Sequence, residues 1–120
     1  MVTIKSYTDL EQSKKLSEIL PLESADMKWF FWKEEIDAPK TPTFGYSKTA
    51  AESYKNTEAI YLPCWSLADL LGVLPNENML VKTTDGEYYC LAKDVMTKHY
   101  NNPVDACVNM IEKLNELNLL

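Results

Sequence analysis

Four side chains in this sequence could bind a metal or act as nucleophiles: Cys64, Cys90, Cys107 and His99, the last the single histidine of the chain. Zinc takes thiolate and imidazole ligands together, but the spacings between these four match no paired-ligand knuckle. Cys90 and Cys107 also fall on apolar faces of their segments, where free cysteine behaves as a small apolar residue. No metal is therefore expected. A Cys-His nucleophilic pair needs an exposed cysteine in an electropositive setting. Cys64, beside Trp65, is the one cysteine outside an apolar stripe and is the candidate for that role. The adjacent carboxylates Glu34 and Glu35 would point to opposite sides of a strand and could not share a substrate atom. No catalytic residue, cofactor or metal follows from these patterns.

The aromatic residues say more. Met27 to Lys33 reads MKWFFWK, short and β-prone, with Met27, Trp29 and Phe31 on one side and Phe30 and Trp32 on the other. Apolar side chains on both faces suit a strand covered twice, or one whose second face meets a partner. Phe30 and Trp32, with Phe44 and Tyr46 from the following loop and Trp65, form the candidate partner-binding set.

Composition bounds the partner. The formal net charge is -6, and all 12 basic residues are lysine. Without arginine the chain lacks the planar fork that reads bases and clamps phosphates, and its acidity weakens attraction to nucleic acid or anionic membrane. Residues 28 to 57 are nearly neutral and hold the expected contact surface. The expected partner is another protein, with neither nucleic acid nor membrane involved.

The segments that must position these groups begin with Thr8-Asp9-Leu10-Glu11, read as a capping box with Thr8 as N-cap of a helix that Pro21 ends. From Ile36 to Glu58 periodicity disappears, apart from a short helix expected over Ser47 to Tyr54, which leaves a long irregular loop. Ala59 to Leu62 is expected to be a strand stopped by Pro63. Ser66 caps a helix carrying Leu67, Leu70, Leu71 and Leu74 and closed by Gly72 and Pro75, with Trp65 packed at its entrance.

Asp85-Gly86 between Met79 and Ala92 is a strong hairpin signal. A two-residue loop would set Val81 opposite Cys90 and place Met79, Val81, Tyr88, Cys90 and Ala92 on the core face. A bulge would move one strand by a residue. Lys93 to Tyr100 is a polar connector. Asn102-Pro103 opens the last helix, with Val104, Cys107, Val108, Ile111, Leu114, Met110 and Leu117 inward and Asp105, Asn109, Glu112 and Glu116 in water.

Three widely spaced cysteines, no signal-peptide pattern and no long apolar run place the expected protein in the cytoplasm, as a single domain over residues 1 to 120. The segments LEQSKKLSEILPLESADM (10 to 27), YLPCWSLADLLGVLP (61 to 75) and NPVDACVNMIEKLNELNLL (102 to 120) resemble a group of small uncharacterised bacterial proteins of gut communities, often in phage-like or mobile regions. The resemblance implies an origin but no activity. The expected fold is α+β, a small antiparallel sheet with helices on one face. The leading functional expectation is a non-enzymatic accessory protein that binds another protein through the aromatic strand and loop. The alternative is a small enzyme or small-molecule binder with a pocket between sheet and loop, using Cys64, His99 or a tyrosine. A third reading is an acidic decoy for a nucleic-acid-binding protein.

Overall fold

A computed structural model of the chain describes residues 5–32, 43–44 and 59–120; of residues 30–32, 43–44 and 59–61 it describes the backbone. The fold is α+β, as expected. The described elements are α1 (Leu10–Ser17), β1 (Met27–Trp32), β2 (Thr43–Phe44), β3 (Ala59–Cys64), α2 (Leu67–Val73), β4 (Met79–Lys82), β5 (Tyr88–Ala92), β6 (Val95–Met96) and α3 (Pro103–Glu116). Their strands divide into two antiparallel sheets, ordered β2-β1-β3 and β4-β5-β6, rather than one.

The main core lies between the second sheet and the helices. Cys90 and Ala92 of β5 pack with Val104, Cys107, Val108 and Ile111 of α3, with Leu70 and Leu74 of the α2 region and with Leu16 and Leu20 of the α1 region. The last helix begins where the sequence placed it. Asn102 accepts from the Asp105 N–H at 2.8 Å, and Pro103 follows at the first helical position. Leu117 departs from the expected stripe: it follows the last turn and is 56% exposed. Asp105, expected in water, is half-buried and bonded.

The second sheet corrects the hairpin register by one residue. Thr83 N–H donates to Glu87 O at 2.8 Å and Gly86 N–H to Thr83 O at 3.0 Å, so the loop is Thr84-Asp85-Gly86. Gly86 sits at φ +82°, the left-handed position that closes a three-residue hairpin loop with a bulge. Val81 therefore pairs with Tyr89 and Leu80 with Cys90. Because side chains alternate, this slip turns Leu80 toward the core and Met79 and Val81 away from it. Tyr88, Cys90 and Ala92 keep the expected face.

Local chemistry accounts for the remaining differences. Asp9, not Thr8, is the N-cap of α1; it accepts from the Gln12 N–H at 2.8 Å while the Gln12 side chain accepts from the Asp9 N–H at 3.1 Å. The box is intact one residue downstream, because Thr8 is occupied elsewhere. Pro63 does not stop β3. It lies within that strand opposite Lys28, at a sheet edge where its missing N–H leaves no ladder bond unmade. Gly72 lies inside α2 instead of closing it, and the C-cap is Leu74.

The polar connector contains β6. Ala92 pairs with Val95 around Lys93-Asp94, two non-glycine residues at φ +52° and +61°. Tyr100 then exchanges backbone bonds with Tyr88. Of the expected long loop, Thr43–Phe44 forms β2; the expected helix over Ser47 to Tyr54 lies outside the described residues.

Candidate functional site

The first sheet is organised by β1, its central strand, which pairs with β3 along its length and with β2 at its start. Met27 and Trp29 are buried with Cys64, and Tyr7, Leu10 and Leu62 pack against them. Tyr7 meets Trp29 edge-on, ring centroids 5.9 Å apart. The Trp29 indole N–H is buried without an acceptor among the described residues. Phe44 stands opposite Met27 and Thr43 opposite Lys28, so the chain after β1 returns to lie beside it. The backbones of Phe30, Trp32 and Phe44 are thereby brought into one sheet. Their side chains, and Tyr46 entirely, lie outside the described residues.

Trp65 does not belong to that set. It is 0% exposed, inside the main core, and its indole N–H donates to Ser24 Oγ at 2.8 Å. Trp65, at the entrance of α2, is drawn inward with the apolar side of that helix, whereas Cys64 beside it belongs to the first sheet's cluster. The staple role at the helix entrance holds, and the partner-facing role is corrected.

The cysteines are free and buried. Cys64 is fully enclosed; burial pushes its thiol up to about 11, against the lowering effect of the Thr8 and Ser13 hydroxyls. A thiol so placed is a poor nucleophile at neutral pH, which removes the enzyme reading that relied on it. Cys90 and Cys107 pack together between β5 and α3; the interaction of the two thiols, with burial, raises Cys107, and the same interaction lowers Cys90 against burial. His99 is exposed on the opposite side of the second sheet, stacked on Tyr89 at 4.9 Å with 12° between the planes, and 4.0 Å from Glu87. No group of three or more metal-ligating side chains converges among the described residues.

Comparison with family models, with curated proteins and with solved structures found no match. No described helix is long and apolar enough to cross a membrane. The chemistry of this chain therefore has to be read from its own polar clusters.

Three such clusters tie elements together. At the first, Thr8 Oγ1 shares a 2.8 Å hydrogen bond with Ser13, accepts from the Trp65 N–H at 3.1 Å and lies 3.6 Å from Cys64 Sγ, while Thr8 N–H donates to Trp65 O at 3.0 Å. Enclosed on all sides, these groups pin the start of α1 to the β3–α2 junction. At the second, Lys5 Nζ donates to Asp9, Gln12 and Asp105 at 3.0, 2.7 and 2.9 Å, joining the N-termini of α1 and α3. Burial alone would raise the Asp105 carboxyl, but bonds from Lys5, Asn102 and Gln12 outweigh it and hold that carboxyl below its usual range.

The third cluster was invisible in the sequence. Asp26, just before β1, accepts from Ser66 N–H at 3.2 Å and Ser66 Oγ at 2.7 Å, while Ser66 Oγ accepts from Asp69 N–H at 3.2 Å. This sets the Asp69 carboxyl beside that of Asp26. Burial first, then the neighbouring Asp26, pushes Asp69 up to about 6. No spacing rule links positions 26 and 69; the pairing of β1 with β3, Met27 opposite Cys64, makes them neighbours.

Proposed function

We propose that this chain is a non-enzymatic accessory protein that binds another protein through β1 and the segment that follows it, with Phe30, Trp32, Phe44 and Tyr46 as contacts. The observation that supports the reading is the pairing of Thr43–Phe44 with Met27–Lys28, which makes the aromatic strand and the adjoining loop parts of one sheet. One side of β1 carries Met27 and Trp29 into a buried cluster, and strand alternation leaves the aromatic positions between and after them for a second surface. The near neutrality of residues 28 to 57 in an otherwise acidic chain lowers the cost of desolvating a contact there. The partner is met in the cytoplasm, a reading supported by three buried, unpaired thiols.

A photo-crosslinking residue placed at Phe30, Trp32 or Phe44, with one at exposed Glu116 as control, tests this in extract of a gut bacterial host. The expected result is one protein crosslinked from the three β1–β2 positions but not from Glu116, and lost when Phe30→Ala and Trp32→Ala are combined with a crosslinker at Phe44. Crosslinks that are equal at all positions, or none in the presence of folded protein, would refute the reading.

A further inference from the structure

The other sheet has an edge that is chemically open. Thr83 and Glu87 form a hydrogen-bonded pair, and such pairs alternate along an antiparallel ladder, so Lys82/Tyr88 and Leu80/Cys90 are pairs of the other kind. The partners' own bonds agree. Tyr88 N–H goes to Tyr100 O at 2.7 Å and Cys90 N–H to Thr97 Oγ1 at 2.9 Å, both away from β4. The backbone N–H and C=O of Leu80 and Lys82 consequently point outward from the sheet, with no partner among the described residues. Met79 to Lys82 contains no proline, and Lys82 is its single charge, so the usual protections of an edge are thin.

The face beside that edge is largely apolar and open at Met79 and Met96, with His99 stacked over Tyr89. The corrected register puts Met79, Leu91 and Met96 in one row across the three strands, with Val81 and Tyr89 in the next, on the side opposite α3. Met79 and Met96 are each 57% exposed. A strand added at β4 would extend this face with every second side chain. Charge selects the occupant. Exposed Glu77 precedes β4 and exposed Asp85 follows it. In a second copy added antiparallel, Leu80 against Lys82, the Glu77 end of one strand would approach the Asp85 loop of the other at both ends, which brings like charges together twice.

We infer that the β4 edge accepts an extended segment of another protein, apolar at alternate positions and basic at both ends, added antiparallel to Met79–Lys82. This surface belongs to a different sheet from the one assigned to the aromatic contacts, and the two stand or fall separately.

The test uses the full chain and a fluorescent peptide, Lys-Thr-Val-Thr-Val-Thr-Val-Thr-Lys, read by anisotropy. Saturable binding is expected, weaker by about fivefold for the same peptide ended in glutamate at low salt, with the gap narrowing as salt rises. Lys82→Pro removes one outward N–H and should abolish binding. Methylating the peptide nitrogens that face β4 should do the same without altering the protein, which covers the case of a misfolded variant. Binding that survives nitrogen methylation, or no saturable binding, overturns the inference. So does self-association of the chain alone that Lys82→Pro abolishes, since it would give the edge to a second copy.

Discussion

Replacing Asp69 with asparagine should stabilise the protein at neutral pH and flatten its pH profile. In the folded chain the Asp69 carboxyl titrates at about 6, because it is partly buried and stands beside Asp26, whereas an unfolded aspartate titrates near 4. The sign follows from linkage. A group whose folded pKa is raised contributes stability in full below its unfolded pKa and loses it as pH rises through the folded one. The native protein is thus expected to lose stability between about pH 4 and pH 6, as the Asp69 carboxyl gives up its proton in a partly buried place beside Asp26. Two pKa units correspond to about 3 kcal/mol for a fully enclosed group, and the partial solvent access of Asp69 reduces this to about 1 kcal/mol. The asparagine of Asp69→Asn would keep its place in the first turn of α2 and carries no charge beside Asp26 at any pH. Urea unfolding at pH 4, 5, 6, 7 and 8 measures the difference. The variant should gain about 1 kcal/mol at pH 7 and nothing at pH 4. Parallel curves for the two proteins, or a variant less stable at pH 7 than at pH 4 relative to the native chain, would refute the reading that burial and Asp26 disfavour the Asp69 charge.

Three other outcomes are expected. Lys93→Asn with Asp94→Gly should raise the thermal midpoint, because both positions hold left-handed φ angles in a two-residue loop and the Asn-Gly pair meets that demand with a gain of about 1 kcal/mol; calorimetry reads it, and an unchanged or lower midpoint contradicts the turn. Thr8→Val keeps the shape but strands the Trp65 N–H and Ser13 hydroxyl inside the protein; a loss of about 1–3 kcal/mol in urea is expected, whereas a neutral result would show that water reaches the site. Cys64, Cys90 and Cys107, all buried and free, should resist iodoacetamide in the native protein at pH 8 and all react in urea; rapid native labelling of Cys64, read by mass spectrometry, would reopen its nucleophile role.

Much of this protein is written locally. The last helix could be read from Asn102, Pro103 and the stripe through Val104, Cys107, Val108 and Ile111, because caps and helical periodicity act over a few residues. The aromatic strand and the α2 cap at Ser66 were legible for the same reason, and so was the α+β class. The sequence also settles the overall acidity and the absence of arginine, which limit partners before any coordinate is known. Where a single residue of loop length mattered, local signals ran out. Asp85-Gly86 announces a turn, but the three-residue loop chosen by Thr83 and Glu87 decides which half of β4 is core, and with it whether Met79 and Val81 face the core or turn away from it.

Tertiary structure alone decided the rest. Thr8 looked like a helix cap, yet the approach of Trp65 claimed its hydroxyl and moved the cap to Asp9. Trp65 itself was drawn from an expected surface into the main core with Leu70 and Leu74 of the α2 region. Asp26 and Asp69 came to stand side by side only when β1 paired with β3, Met27 opposite Cys64. The difference is one of range: caps, turns and stripes depend on neighbours along the chain, while burial, strand register and neighbouring charges depend on which distant segments come into contact.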